Sequence, residues 1–155
     1  MTNINLRQAT IADLEILLQF EQNVLEAERP FNSSIKPVDA SYYDLKDMIN
    51  DDNTLLLVAY IDNQIIGSGY AQIRPSKTSS LIHKTHSYLG FMYVETEFRG
   101  LGINKKIIDE LIEWTKNQGV SDVYLDVYED NKAAIRAYEK VGFSMSLVEM
   151  KLNIV

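Results

Sequence analysis

Cysteine is missing altogether, so disulfides, thiolate metal sites and a cysteine nucleophile are all excluded. Only two histidines are present, and nowhere do His, Asp and Glu gather at metal-ligand spacing. No metal is therefore expected. No apolar run approaches the roughly 18 residues that span a bilayer, so no membrane association is expected. The first residues reach an acid at Asp13 without a preceding basic region, unlike a secretory signal, and a cytoplasmic protein is the expectation. The Gly-x-Ser-x-Gly of a serine hydrolase is absent, and so is the Gly-Lys-Ser/Thr of a P-loop.

What is present suits one globular domain across 1–155, with 46% hydrophobic and 24% charged residues. The net charge of −7 is uneven: residues 1–52 hold ten acids against four bases, a net of −6. Such a surface argues against a nucleic-acid partner and suits either plain solvation or the approach of a cationic substrate.

Hydrophobic spacing predicts the elements. Ile4–Arg7 reads as a strand; Thr10 then caps a helix with Ile11, Leu14, Leu17 and Leu18 on one face. From about Asn23 to Pro37 the pattern breaks into a loop, and a second helix runs through Tyr42, Leu45, Met48 and Ile49. Leu55–Ile61 and Gln64–Ile73 flank Asp62-Asn63 as a hairpin. Pro75–Lys84 reads as a loop, Tyr88–Val94 as a strand and Leu101–Asn117 as an amphipathic helix. Val120–Tyr128 is a strand, Asn131–Val141 a helix and Ser144–Ile154 a final extended segment. The order β-α-α-β-β-β-α-β-α-β implies an α/β fold, a mixed sheet with about four helices on its faces.

Two segments carry chemistry. In Val94-Glu95-Thr96-Glu97-Phe98-Arg99-Gly100-Leu101-Gly102-Ile103-Asn104-Lys105-Lys106 a strand ends, glycines follow an arginine, and a long helix begins. Glycines let backbone N–H groups turn outward, and a helix N-terminus adds unpaired donors, so the segment can cradle a pyrophosphate. A dinucleotide fingerprint would need glycine at Lys105. A plain tight turn before a helix explains the glycines equally well. In the second segment Asn131 can cap a helix, Ala134, Tyr138 and Val141 share a face, and Gly142-Phe143 can end it.

Both segments resemble motifs of the GNAT superfamily of acetyl-CoA-dependent N-acetyltransferases. Arg99, Gly102 and Asn104 stand at the three positions of its Gln/Arg-x-x-Gly-x-Gly/Ala motif, with Asn104 departing from the preferred Gly or Ala. Val94 and Glu97 match the usual lead-in. Asn131, Ala134, Tyr138, Gly142 and Phe143 fill every position of the second motif. Over residues 1–74 the likeness rests on element order and on Arg7-Gln8-Ala9-Thr10 before Asp13.

The resemblance implies a GNAT-like fold with a largely antiparallel twisted sheet. It also implies acetyl transfer from acetyl-CoA to a primary amine of a small molecule or protein, by direct attack. Met92, Tyr93 and Val94 would hold the donor's pantetheine arm, while Arg99, Gly100, Leu101, Gly102, Ile103, Asn104 and Lys105 would hold its pyrophosphate. Asn131 would contact the donor, and Tyr138 would protonate the departing sulfur. Asp126 matches a glutamate that serves as base in the ribosomal-protein alanine N-acetyltransferases, with Glu21, Glu26 and His86 as rivals. Phe31, Tyr42, Tyr43, Tyr88 and Tyr93 could line an acceptor pocket or simply pack. Two alternatives stay open: a non-catalytic acyl-CoA-binding or sensing domain, and a protein-interaction module. Sequence alone leaves the choice between monomer and homodimer open.

Overall fold

The computed structural model describes residues 3–155. Five strands form one sheet in the order β1-β2-β3-β4-β5. They are β1 (Ile4–Gln8), β2 (Thr54–Ile61), β3 (Gln64–Pro75), β4 (Thr85–Val94) and β5 (Val123–Tyr124). Neighbours run antiparallel except β4 and β5, which are parallel. Four helices accompany them: α1 (Leu14–Glu28), α2 (Leu45–Ile49), α3 (Ile103–Asn117) and α4 (Lys132–Val141). Among the described residues no helix is long and apolar enough to cross a membrane.

Strand β2 explains the layering. Its sequence Thr-Leu-Leu-Leu-Val-Ala-Tyr-Ile is almost continuously apolar because both of its faces are covered. Leu56 and Val58 point to a core with Leu17, Phe20 and Val24 of α1 and Leu45 and Met48 of α2. Leu57 and Ala59 point the other way, to Ile103, Ile107, Ile108 and Leu111 of α3. Tyr138, Val141 and Phe143, in and after α4, pack against this second core. The start of the chain is tied down by Asp13, which accepts from both Arg7 nitrogens at 2.7 and 2.9 Å and from the Thr10 N–H at 2.8 Å. The arginine beside it holds the Asp13 carboxyl below its ordinary value.

Several sequence expectations need adjustment, and the second helix begins only at Leu45, leaving Tyr42 in the loop before it. Helix α1 does not break at Asn23 but continues to Glu28, with Arg29–Phe31 as a further 3-10 turn. Buried Leu17, Phe20, Glu21, Val24 and Leu25 keep its stripe at i, i+3, i+4, i+7 and i+8, and no breaker stands before Pro30. Strand β5 is only Val123–Tyr124 rather than Val120–Tyr128, because it pairs with β4 at Ser87 and Tyr88 alone. The segment after Phe143 forms no strand, since β5 gives it no long edge to pair with, and Leu147, Met150, Leu152 and Ile154 stand exposed.

Candidate active site

The centre of the site is a defect in the sheet. Ser68 pairs with Tyr93 and Tyr70 with Gly90, so Gly69 alone faces two residues, Phe91 and Met92. This is a β-bulge, and Phe91 takes the left-handed conformation at φ 56° to make it. A non-glycine residue there is strained, and the surroundings compensate. The Ser68 hydroxyl donates to the Phe91 carbonyl at 3.0 Å. Gly69 is required for space: a Cβ on it would stand 2.7 Å from both Met92 Sδ and Ile107 Cγ2. The bulge re-aims the end of β4 away from β5. Past Tyr88 the outer edge of β4, through Met92, Tyr93 and Val94, has no strand partner among the described residues. Along this edge alternate residues turn their N–H and C=O groups outward, and apart from the Val94 carbonyl, which Arg99 uses, these suit an extended, amide-bearing ligand.

That edge leads into the glycine-rich turn. Arg99 Nε donates to the Val94 carbonyl at 3.0 Å, closing the loop across the 3-10 turn Thr96–Phe98. Gly100 and Gly102 both adopt left-handed backbone, at φ 82° and 79°. A Cβ on either would meet nothing within 4 Å, so the demand for glycine here is conformational and the space above the turn is open. Helix α3 then starts at Ile103 with no side chain capping it. Its first-turn N–H groups, at Ile103, Asn104 and Lys105, lack intrahelical partners and carry the positive end of the helix dipole. Leu101 is exposed beside them. Open space, free donors and a positive dipole fit a pyrophosphate. The two lysines of this turn are engaged elsewhere: Lys105 is paired with Asp109 at 2.6 Å and Lys106 donates to the Ile4 carbonyl.

Helix α4 supplies the third part. The Asn131 side chain accepts from the Ala134 N–H at 3.3 Å, so its capping role is real. At the other end Gly142 has φ 120°, and Phe143 folds back to meet the Tyr138 ring edge-on at 6.0 Å. Burial, with a smaller contribution from the charge of Glu28, raises the Tyr138 hydroxyl above its ordinary value. A phenol so held stays protonated and can donate to a developing thiolate.

The residues expected to act as base are scattered. Asp126 is exposed and accepts from the Tyr88 hydroxyl at 2.9 Å. Glu21 is buried, with its carboxylate accepting from the Tyr42 and Tyr43 N–H groups at 2.8 and 2.7 Å. Glu26 is exposed and paired with Arg29 at 2.9 Å. His86 is buried near the start of β4, with burial as the main cause of its lowered pKa.

The aromatic residues divide as well. Tyr43 packs against Tyr70 and Phe91, while Tyr93 packs on Phe20, so both serve the first core. Tyr88 lies under the Arg74 guanidinium, 4.0 Å from its carbon. Phe31 stacks on Tyr128 at 6.1 Å, and Asn32 donates to the Tyr128 hydroxyl at 2.8 Å. Tyr42 donates its hydroxyl to Glu28 at 2.8 Å. Glu28, Asn32 and Tyr128 were not singled out from the sequence. The available signal was the apolar stripe of α1, which places position 28 one helical turn beyond Val24.

Comparison with known proteins points to one family. Residues 21–143 match the family model described as the acetyltransferase (GNAT) family. An acetyltransferase of Pectobacterium atrosepticum is 33% identical over 112 residues, covering 70% of this chain and 71% of that protein. The Bacillus subtilis protein named as the uncharacterized N-acetyltransferase YobR is 41% identical over 56 residues, 36% of this chain. That match spans 23% of the relative's own length. Among solved structures, a predicted acetyltransferase from Clostridium acetobutylicum, solved with acetyl-CoA, superposes with a TM-score of 0.76. It is 21% identical and covers 98% of this chain and 97% of its own, a likeness of fold.

Proposed function

Because the chain belongs to the acetyltransferase (GNAT) family, we propose that it moves an acetyl group from acetyl-CoA to a primary amine by direct nucleophilic attack. The observation that carries this reading is the freed edge of β4, continuous with the uncapped N-terminus of α3. One side of the sheet thereby offers a backbone rail for the pantetheine amides and an anion site for the pyrophosphate.

In this reading Met92, Tyr93 and Val94 hydrogen-bond the donor's arm along β4, and one of their N–H groups polarises the thioester carbonyl. Gly100, Leu101, Gly102, Ile103, Asn104 and Lys105 present the N–H groups that receive the phosphates, while Arg99 shapes the turn from below. Asn131 caps α4 and so fixes where Tyr138 sits. The amine nitrogen attacks the carbonyl carbon, the carbon–sulfur bond breaks, and Tyr138 gives its proton to the sulfur. The sequence-based base, Asp126, remains a candidate that would work from the exposed side with Tyr88 as its hydrogen-bond partner.

The experiment is a panel of primary amines assayed for amine-dependent CoA release, with calorimetry of acetyl-CoA binding alongside. Tight binding without turnover on any amine would favour the non-catalytic acyl-CoA-binding domain instead.

We also infer that the chain pairs with itself. Residues 144–155 carry exposed Met145, Leu147, Met150, Leu152 and Ile154, a pattern that alternates on either side of Val148. Strand β5 ends the sheet with its outer edge unpaired among the described residues. Each copy thus exposes a strand-capable apolar segment, and two such segments paired about a two-fold axis would cover one another.

A further inference from the structure

Helix α1 carries three acids in its last two turns, and they meet different fates. Glu21 lies on the buried stripe with Val24 and Leu25, and Glu28 continues that stripe at i+7 from Glu21 and i+4 from Val24. The Glu21 carboxylate is occupied by the Tyr42 and Tyr43 N–H groups. Its grip sets the path of the loop before α2 so that the Tyr42 side chain lies along α1. The Tyr42 hydroxyl then reaches Glu28 at 2.8 Å.

The other walls around Glu28 come from distant parts of the chain. Tyr42 and Tyr43 stand with ring centres 5.6 Å apart. Tyr128, beyond β5, is stacked on Phe31, held by Asn32, and close enough to act on the Tyr42 hydroxyl. From α4, Tyr138 lies within the electrostatic reach of Glu28. A half-buried carboxylate bonded to the Tyr42 hydroxyl thus lies within electrostatic reach of the group assigned to protonate the leaving sulfur.

We propose that Glu28 is the carboxylate that binds the acceptor's ammonium group and takes the proton its nitrogen sheds during acetyl transfer. This rests on the acetyl-transfer reading above and names its acceptor class, a cationic primary amine. A carboxylate attracts the ammonium directly, by a charge-assisted hydrogen bond.

The proton count closes. The ammonium first loses one proton to solvent and becomes the free amine. In the transfer step a nitrogen–carbon bond forms, the carbon–sulfur bond breaks, one proton passes from nitrogen to Glu28, and one passes from Tyr138 to sulfur. Glu28 then holds the proton Tyr138 lacks, and its return through water restores both.

The neighbours support Glu28 as the proton acceptor. Glu21 is committed to the loop, Glu26 to Arg29, and Asp126 is exposed and bonded to Tyr88. The groups about Glu28 are phenols: Tyr42, which is bonded to it, Tyr43 and Tyr138, which lie within its electrostatic reach, and Tyr128, which neighbours Tyr42. Arg29, next in the chain, is engaged by Glu26 and the Lys36 carbonyl. Burial raises the Glu28 carboxyl above its ordinary value, and the Tyr42 hydrogen bond opposes this in part. A carboxylate moved toward neutrality is a better proton acceptor at working pH.

The test compares the parent, Glu28→Gln and Asp126→Asn across pH, by amine-dependent CoA release and acetyl-CoA calorimetry. Glu28→Gln keeps the side chain's shape and should lower kcat/KM for the best amine about 10²-fold at neutral pH. Its acetyl-CoA affinity and melting temperature should match the parent's, and Glu28→Asp should recover part of the loss. The parent's activity should fall on the acid side as Glu28 protonates, and that limb should be missing in Glu28→Gln. If Glu28→Gln turns over the parent's amine at the parent's rate with the same pH profile, the assignment is overturned while the acetyl-transfer reading stands. It is equally overturned if Asp126→Asn removes the acid limb and Glu28→Gln preserves it. A parent that binds acetyl-CoA but acetylates no amine contradicts both readings together.

Discussion

Tyr138 combines two properties that a proton donor to sulfur needs, a phenol kept protonated by burial and a ring whose position is fixed. The ring is fixed by Phe143, edge-on at 6.0 Å, and by the second core. Tyr138→Phe keeps that packing and removes only the hydroxyl. Turnover should fall about 10²-fold or more with acetyl-CoA affinity unchanged, which separates a transition-state role from a binding role. Paired kinetics and calorimetry on the two proteins make the comparison, and full activity in the variant would make Tyr138 a packing residue.

Legibility at this scale followed locality. Tyr138, Asn131 and Gly142 stand in one short stretch whose spacing alone suggests a capped helix, and the structure shows that helix with Asn131 at its cap. Glu28, Asn32 and Tyr128 come together only through the path of the loop before α2, which Glu21 fixes by hydrogen bonds to backbone. No spacing rule encodes such a contact.

At the scale of elements, the start of α3 is where backbone geometry and ligand chemistry meet most closely. Its N-terminus has no side-chain cap, and Gly102 precedes it at φ 79°. Gly102→Val meets no steric obstacle from the protein, so its effect comes from the backbone: a β-branched residue resists left-handed φ and turns the first-turn N–H groups away. Acetyl-CoA affinity should drop tenfold or more, about 1.4 kcal/mol or above. Unchanged affinity by calorimetry would remove the anion site from this turn.

The elements themselves were mostly readable, because the buried faces of α1, α3 and β2 repeat at helical or strand period. The shortening of β5 was not readable. It reflects pairing with β4 at Ser87 and Tyr88 alone, and the left-handed conformation of Phe91 further along β4 has no signature in the run Gly90-Phe91-Met92. The end of α1 is hidden in the sequence for a simpler reason. Polar Gln22, Asn23 and Glu26 interrupt the sequence, yet Gln22 and Glu26 are exposed and Asn23 donates to the Tyr93 hydroxyl, while Val24 and Leu25 keep the stripe.

For the whole molecule, the sheet separates two halves with different work. The face covered by α1 and α2 holds most of the acidic excess of residues 1–52 and the cluster around Glu28. The other face carries α3 and α4, which hold the turn and the tyrosine proposed to serve the donor. In the proposed reading acceptor and donor reach the bulged end of β4 from opposite sides.

Self-association belongs to this scale too. Light scattering should give the mass of a dimer, and charged replacements at Leu147 and Leu152 should shift it toward monomer, since both side chains are exposed in a single copy. A parent that remains monomeric at every concentration would contradict the shared-strand arrangement.

The most direct measurement is amine-dependent release of CoA from acetyl-CoA, with the product amine followed by mass spectrometry in the same reactions. The account predicts that at least one cationic primary amine is acetylated in step with CoA release, and that the rate falls in Tyr138→Phe. Tight, saturable binding of acetyl-CoA with no acetylated product from any amine would contradict it.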